Sequence, residues 1–99
     1  MESLKVKVEY LGHIKRLTHD TREEEIEVAS PAAVIDVLVI LADKYGEPFT
    51  KAIYEPSASD IKANYIMTVN GYLLNQLNGV QTRLKGGDHL ILLPIVSGG

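Results

Sequence analysis

Segment 89–93 is apolar on both of its faces and lies near the end of a 99-residue chain. In a small sheet such a strand belongs at the centre, where neighbours flank both edges and a covering element shields one face. The opening segment has a different pattern. Leu4, Val6, Val8 and Tyr10 alternate strictly with Lys5, Lys7 and Glu9, which predicts a half-buried strand. A polar stretch, 12–22, then serves as a long hairpin loop. A second strand is predicted at 24–28, with Ile26 and Val28 inward and Glu25 and Glu27 outward. Antiparallel pairing lets Lys5 and Lys7 face Glu25 and Glu27, at roughly 0.2–1 kcal/mol per pair. The glutamate run reads as a solvated strand face rather than an acidic binding site.

Ser30 and Pro31 predict a helix start, serine as N-cap and proline in the first turn. The helix is expected to reach Tyr45, with Gly46 as its left-handed C-cap. Val34, Val37, Leu38, Leu41 and Tyr45 form its apolar face, and Ile35, Val39, Ile40 and Ala42 widen that face. The β-branched content of 34–41 leaves a strand as the alternative; length and caps favour helix. Phe49, Ala52 and Ile53, at helical spacing before Pro56, are the expected cover for the extra width, and 57–60 reads as an exposed loop. A third strand is predicted at 65–70. Asn70-Gly71 is a two-residue hairpin signal, and 72–74 returns as a short strand. A polar loop with Asn78-Gly79, then 82–84 and a tight turn at Gly86-Gly87-Asp88 lead into the last strand. This order predicts an α+β roll: one main helix packed across a mixed sheet of four to five strands. The expectation is a single domain over residues 1–99, with 94–99 as its flexible C-terminal tail.

Several function classes are excluded. Acidic residues number 13 against 10 basic, a net charge of −3, and no basic stripe interleaves with aromatics. Nucleic acid is therefore not an expected partner. The longest all-apolar run, 37–42, is six residues, too short for a membrane span. Lys5, Lys7 and Glu9 interrupt the first apolar stretch, unlike a secretory leader. With no cysteine there is no disulfide, zinc–thiolate site or thiol nucleophile. His13, His19 and His89 lack metal-ligand spacing and read as loop or surface residues, and Gly86-Gly87 lacks the rest of a phosphate loop. The expectation is a cytoplasmic protein, monomeric on its own, with no bound metal or cofactor and no catalytic site of its own.

The candidate chemistry lies at the end of the sequence, Val96-Ser97-Gly98-Gly99. At ordinary glycine usage two terminal glycines arise by chance in about one chain in two hundred. Glycine backbone enters narrow channels closed to other residues. Four residues reach roughly 13 Å when extended, enough to deliver a carboxylate into a partner's active site. That carboxylate is ionised at neutral pH and is a poor electrophile. Adenylation by ATP makes its oxygen a leaving group, after which sulfur gives a thiocarboxylate or a lysine amine gives an isopeptide bond. The alternative is a tip with no role.

The element order resembles the ubiquitin-like β-grasp fold. Val69-Asn70-Gly71, Leu84-x-x-Gly87-Asp88, an apolar strand, Pro94 and Val96-Ser97-Gly98-Gly99 resemble the small subunit of molybdopterin synthase and related sulfur carriers, including small archaeal modifier proteins. The resemblance spans the chain, and its last third is the most specific part. It implies that a ubiquitin-activating-like enzyme uses ATP to adenylate Gly99, with Gly98 beside it in the enzyme's channel. The activated end then carries sulfur for a molybdopterin or tungsten cofactor or for tRNA thiolation, or is joined to lysines of target proteins. Partners so implied are the adenylating enzyme and either the large subunit of molybdopterin synthase or target-protein lysines. The middle segment, 47–64, resembles the longer, archaeal-type members. The sequence departs from many small subunits at Leu93, Pro94 and Ile95, where they carry an aromatic residue and two prolines; this bears on the dedicated pterin partner, not on adenylation.

Alternation also suggests where a partner docks. With Leu90, Leu92, Met67 and Val69 facing the helix, Ile66, Ile91 and Leu93 face outward beside the tail, an exposed apolar patch. The candidate partner-binding set is Ile66, Ile91, Leu93, Pro94, Ile95, Val96 and Ser97. The plain alternative is that these residues are the second face of a central strand.

Overall fold

The computed structural model describes residues 2–55, 58 and 60–95. Among them five strands form one sheet: β1 (Ser3–Tyr10), β2 (Glu23–Ala29), β3 (Tyr65–Val69), β4 (Tyr72–Leu73) and β5 (His89–Pro94). Two helices, α1 (Val34–Tyr45) and α2 (Glu47–Ala52), lie between β2 and β3. The strand order is β2-β1-β5-β3-β4. β5 is central, as its two apolar faces require, running parallel to β1 and antiparallel to β3. β1 and β2 pair antiparallel in the expected register, Lys5 opposite Glu27 and Lys7 opposite Glu25.

One face of the sheet is closed by α1. Val6, Val8, Ile26, Val28, Met67, Val69, Leu90 and Leu92 meet Val34, Val37, Leu38 and Leu41, all buried. The β-branched stretch is a helix: its period of 3.6 places four fully buried residues on one side, whereas a strand would turn half of them outward. α2 supplies the cover with Phe49, and Ile53 and Tyr54 follow it into the core. That cover is partial, since Val39 remains 43% exposed.

The start of α1 differs from the expectation. It begins at Val34, and Ser30 does not cap it. Residues 32–34 are instead held against 82–84: Leu84 N–H donates to the Ala32 carbonyl at 2.9 Å and Val34 N–H to the Thr82 carbonyl at 3.0 Å. This pairing keeps Ala33 extended, so the helix cannot start earlier. The Asp36 carboxylate accepts the Ala33 N–H at 2.8 Å and takes over the capping role. Gly46 ends the helix at φ 73° and ψ −154°, a conformation essentially restricted to glycine.

Segment 12–22 is not an open loop. It contains a 3-10 turn, Gly12–Leu17, that buries Ile14 completely. Thr18 is also buried, and its hydroxyl donates to the Thr21 carbonyl at 2.9 Å. The segment's two apolar residues, Ile14 and Leu17, make too short a run for a periodicity to be read. β4 is shorter than expected because Leu74 opens a 3-10 turn, and β5 runs one residue further, so Pro94 belongs to the sheet rather than to the tail. Pro56 and much of the expected 57–60 loop lie outside the described residues. No helix among the described residues is long and apolar enough to cross a membrane.

Candidate functional site

The two sequence motifs before β5 form one unit. Asn70 and Gly71 both take positive φ, 53° and 91°, which makes the β3–β4 turn. The Asn70 amide donates to the Asp88 carboxylate at 3.0 Å and accepts the His89 N–H at 2.9 Å. Asp88 is buried and also accepts the Lys85 N–H at 2.8 Å, closing the turn around Gly87. The hairpin tip and the glycine turn are thereby locked together at the head of β5. Sequence reading singled out both but had no signal that they touch.

Along β5, Leu90 and Leu92 point into the core. Ile91 and Leu93 occupy the opposite face, beside Thr68 and Ile66 of β3. Ile66, Ile91, Leu93 and Pro94 are half-buried rather than fully exposed, because β3 and β5 each have a strand on both edges; Ile95 is 47% exposed. The outer face therefore has an apolar half over β3 and β5. Its other half, over β1 and β2, is charged. Lys7 pairs with Glu23 at 3.3 Å, diagonally rather than with the Glu25 opposite it. Glu27 accepts the Ser3 hydroxyl at 2.6 Å. His89 meets Glu9 at 3.1 Å, at the border of the two halves. A groove of about 300 Å³ adjoins the apolar half, lined in part by Ile61, Tyr65, Ile66, Leu73 and Ile95.

The other two histidines also have partners. His13 meets the Tyr65 hydroxyl at 3.0 Å, and the His19 ring stands edge-on to Tyr45 with centroids 5.1 Å apart. Val96, Ser97, Gly98 and Gly99 lie outside the described residues. What the structure defines is the base from which they extend: Pro94 opposite Tyr65, and Ile95 N–H donating to the Asn64 carbonyl at 2.8 Å.

Sequence reading missed a polar cluster where β1 and β2 meet the end of α1. Glu24 shares the inward parity of Ile26 and Val28, and receives the hydroxyls of Tyr10 (2.7 Å) and Tyr45 and the ammonium of Lys44. Burial pushes its carboxyl pKa up, but the hydrogen bonds from Lys44, Tyr10 and Tyr45 outweigh this and hold it below the ordinary glutamate value. Burial, then the bond to Glu24, push the Tyr10 phenol well above its ordinary value, and burial raises Tyr45 likewise. The signal was the parity of Glu24 itself, an acidic residue on the apolar face of an alternating strand.

The family model for the ThiS family matches residues 8–99. No curated protein sequence matches the chain. Small archaeal modifier protein 1 from Methanosarcina acetivorans is 27% identical over 100% of both chains, with a TM-score of 0.78. A putative molybdopterin converting factor subunit 1 from Pyrococcus furiosus is 28% identical over 94% of this chain and 99% of its own, with a TM-score of 0.70. Urm1 from Trypanosoma brucei, at 14% identity, covers 100% of this chain and 99% of its own and shares the fold, with a TM-score of 0.78. The five-strand mixed sheet crossed by α1 is thus the ubiquitin-like β-grasp fold, and the chain belongs to the ThiS family.

Proposed function

We propose that this protein is a ubiquitin-like carrier whose Gly99 carboxylate is activated by a partner enzyme. A Gly99 carboxylate oxygen attacks the α-phosphorus of ATP on a ubiquitin-activating-like adenylating enzyme, and pyrophosphate leaves. A sulfur nucleophile then displaces AMP to give a thiocarboxylate, or a target lysine displaces it to give an isopeptide bond. The chain needs no catalytic side chain and no bound cofactor for either outcome, because ATP and the acid–base groups belong to the partner. Ile66, Ile91 and Leu93 dock that partner, and Pro94, Ile95, Val96, Ser97 and Gly98 lead the carboxylate into its channel. The observation that carries this reading is the half-exposed apolar face that continues without a break into the base of a Gly-Gly end.

The likeness to a molybdopterin converting factor subunit favours a second use of the same activated end, sulfur delivery inside a synthase large subunit. Mass spectrometry of the tagged protein recovered from its own cells separates these outcomes. One oxygen-to-sulfur exchange at Gly99 identifies a sulfur carrier. Gly-Gly remnants on lysines of other proteins identify a modifier. An unmodified Gly99 with ATP and the activating enzyme present refutes the proposal.

A further inference from the structure

The chain leaves the sheet through a corner built from three segments. Leu11 N–H donates to the Leu92 carbonyl at 3.0 Å and ties the exit of β1 to β5. Gly12 follows at φ 64°, with its Cα against the Pro94 ring. A Cβ at Gly12 would stand 3.0 Å from Cγ and 3.3 Å from Cδ of that ring. On the other side, the Asn64 carbonyl holds the Ile95 N–H at 2.8 Å. Tyr65 stands opposite Pro94 in the β3–β5 register, and its hydroxyl meets His13 at 3.0 Å. Gly12 and His13 on one side and Asn64 and Tyr65 on the other thus flank Pro94 and the backbone of Ile95. Among the described residues the glycine is singular in this. Gly46, Gly71, Gly79 and Gly87 also take positive φ, but a Cβ on any of them would meet nothing within 4 Å.

We infer that Gly12 is a positioning residue, and that the Gly12–His13 turn and the Asn64–Tyr65 segment form a clamp fixing the direction in which the C-terminal segment leaves the sheet. The inference rests on the proposed activation of Gly99. A carboxylate delivered from a fixed base enters a narrow channel with less ordering left to supply at each turnover. A side chain at position 12 pushes the Pro94 ring away and weakens the hold on Ile95, while the docking face on β3 and β5 stays in place.

The test compares Gly12→Ala with Gly79→Ala, which carries the same positive-φ strain (φ 59°) without the contact, and with Gly12→Ala/Pro94→Ala, which removes the two atoms met. Amide exchange of Ile95 is measured relative to Lys7, whose N–H donates to the Asp88 carbonyl far from the clamp. Gly12→Ala is expected to speed that relative exchange about tenfold, the scale of one lost hydrogen bond. Pyrophosphate exchange by the activating enzyme, with this protein as the varied substrate, is expected to show kcat reduced about tenfold at unchanged KM. A chain that is merely less folded would instead raise the apparent KM and keep kcat. The double variant is expected to restore the Ile95 exchange, since it relieves the contact with the ring. Unchanged Ile95 exchange in Gly12→Ala, an equal effect from Gly79→Ala or no recovery of that exchange in the double variant overturns the clamp. Should Gly12→Ala not fold, Tyr65→Phe removes only the hydroxyl facing His13, and an unaltered Ile95 exchange in it overturns the clamp equally. A wild-type chain that is not adenylated refutes the activation itself; adenylation with kcat intact in Gly12→Ala refutes only the positioning role.

Discussion

At the scale of single residues, two polar side chains hold parts of the sheet through contacts that the sequence did not signal. Glu24 is an inward carboxylate with three donors, and its charged form is the one the fold binds. Its pKa is lowered on folding, so its contribution is fully present above about pH 4.5 and is lost as pH falls through the lowered folded value. Urea midpoints are therefore expected to hold level near neutrality and to drop on acidification, with a shallower drop in Glu24→Gln. Glu24→Ala leaves the Tyr10 and Tyr45 hydroxyls without their acceptor and is expected to cost about 1–3 kcal/mol at pH 7. The Lys44 side of the cluster is half exposed, so its ion pair adds little to that figure. Asn70→Ala breaks the bridge to Asp88 and places alanine at φ 53°; denaturant titration should show a loss of about 2 kcal/mol.

Elements show how far patterning carries and where it stops. β1, β2, β3 and β5 were legible because period-2 alternation leaves one face apolar, or both for β5. The β1–β2 register followed, since a slip of β2 by one residue would turn Ile26 and Val28 outward. The start of α1 was not legible: pairing of 32–34 with 82–84 joins segments far apart in sequence, and capping rules see only neighbours. The turn at Gly12–Leu17 escaped for a related reason, as Ile14 is its one fully buried residue. The outer face of β5 carries the element-scale prediction. Leu93→Asp places a charge on the apolar half without touching the inward row. It is expected to raise KM for adenylation at least about tenfold while thermal unfolding shifts little; cooperative unfolding lost at room temperature would mean that Leu93 is core instead.

For the whole molecule, the division of labour follows the sheet. One face is covered by α1 and accounts for stability; the other is split into a charged half and an apolar half that leads to the end of β5. Removing Gly98 and Gly99 is therefore expected to leave the unfolding midpoint unchanged and to abolish both thiocarboxylate and isopeptide products, read by intact-mass spectrometry. A variant that keeps its function without them would leave a β-grasp interaction module in which the glycines play no part.

What the sequence determined by itself was whatever depends on local period and local chemistry. The alternation of β1 and β2, the Asn70-Gly71 turn, the two-faced β5 and the Gly-Gly end together imply a small mixed sheet with its last strand at the centre. Only the tertiary structure decided the contacts between distant segments: Asn70 with Asp88, Glu24 with Tyr10, Tyr45 and Lys44, residues 32–34 with 82–84, and Gly12 with Pro94. The physical reason is the same in each case. Hydrophobic periodicity reports which side of an element meets the core, whereas a polar bridge or a close backbone approach depends on where two separate elements come to rest.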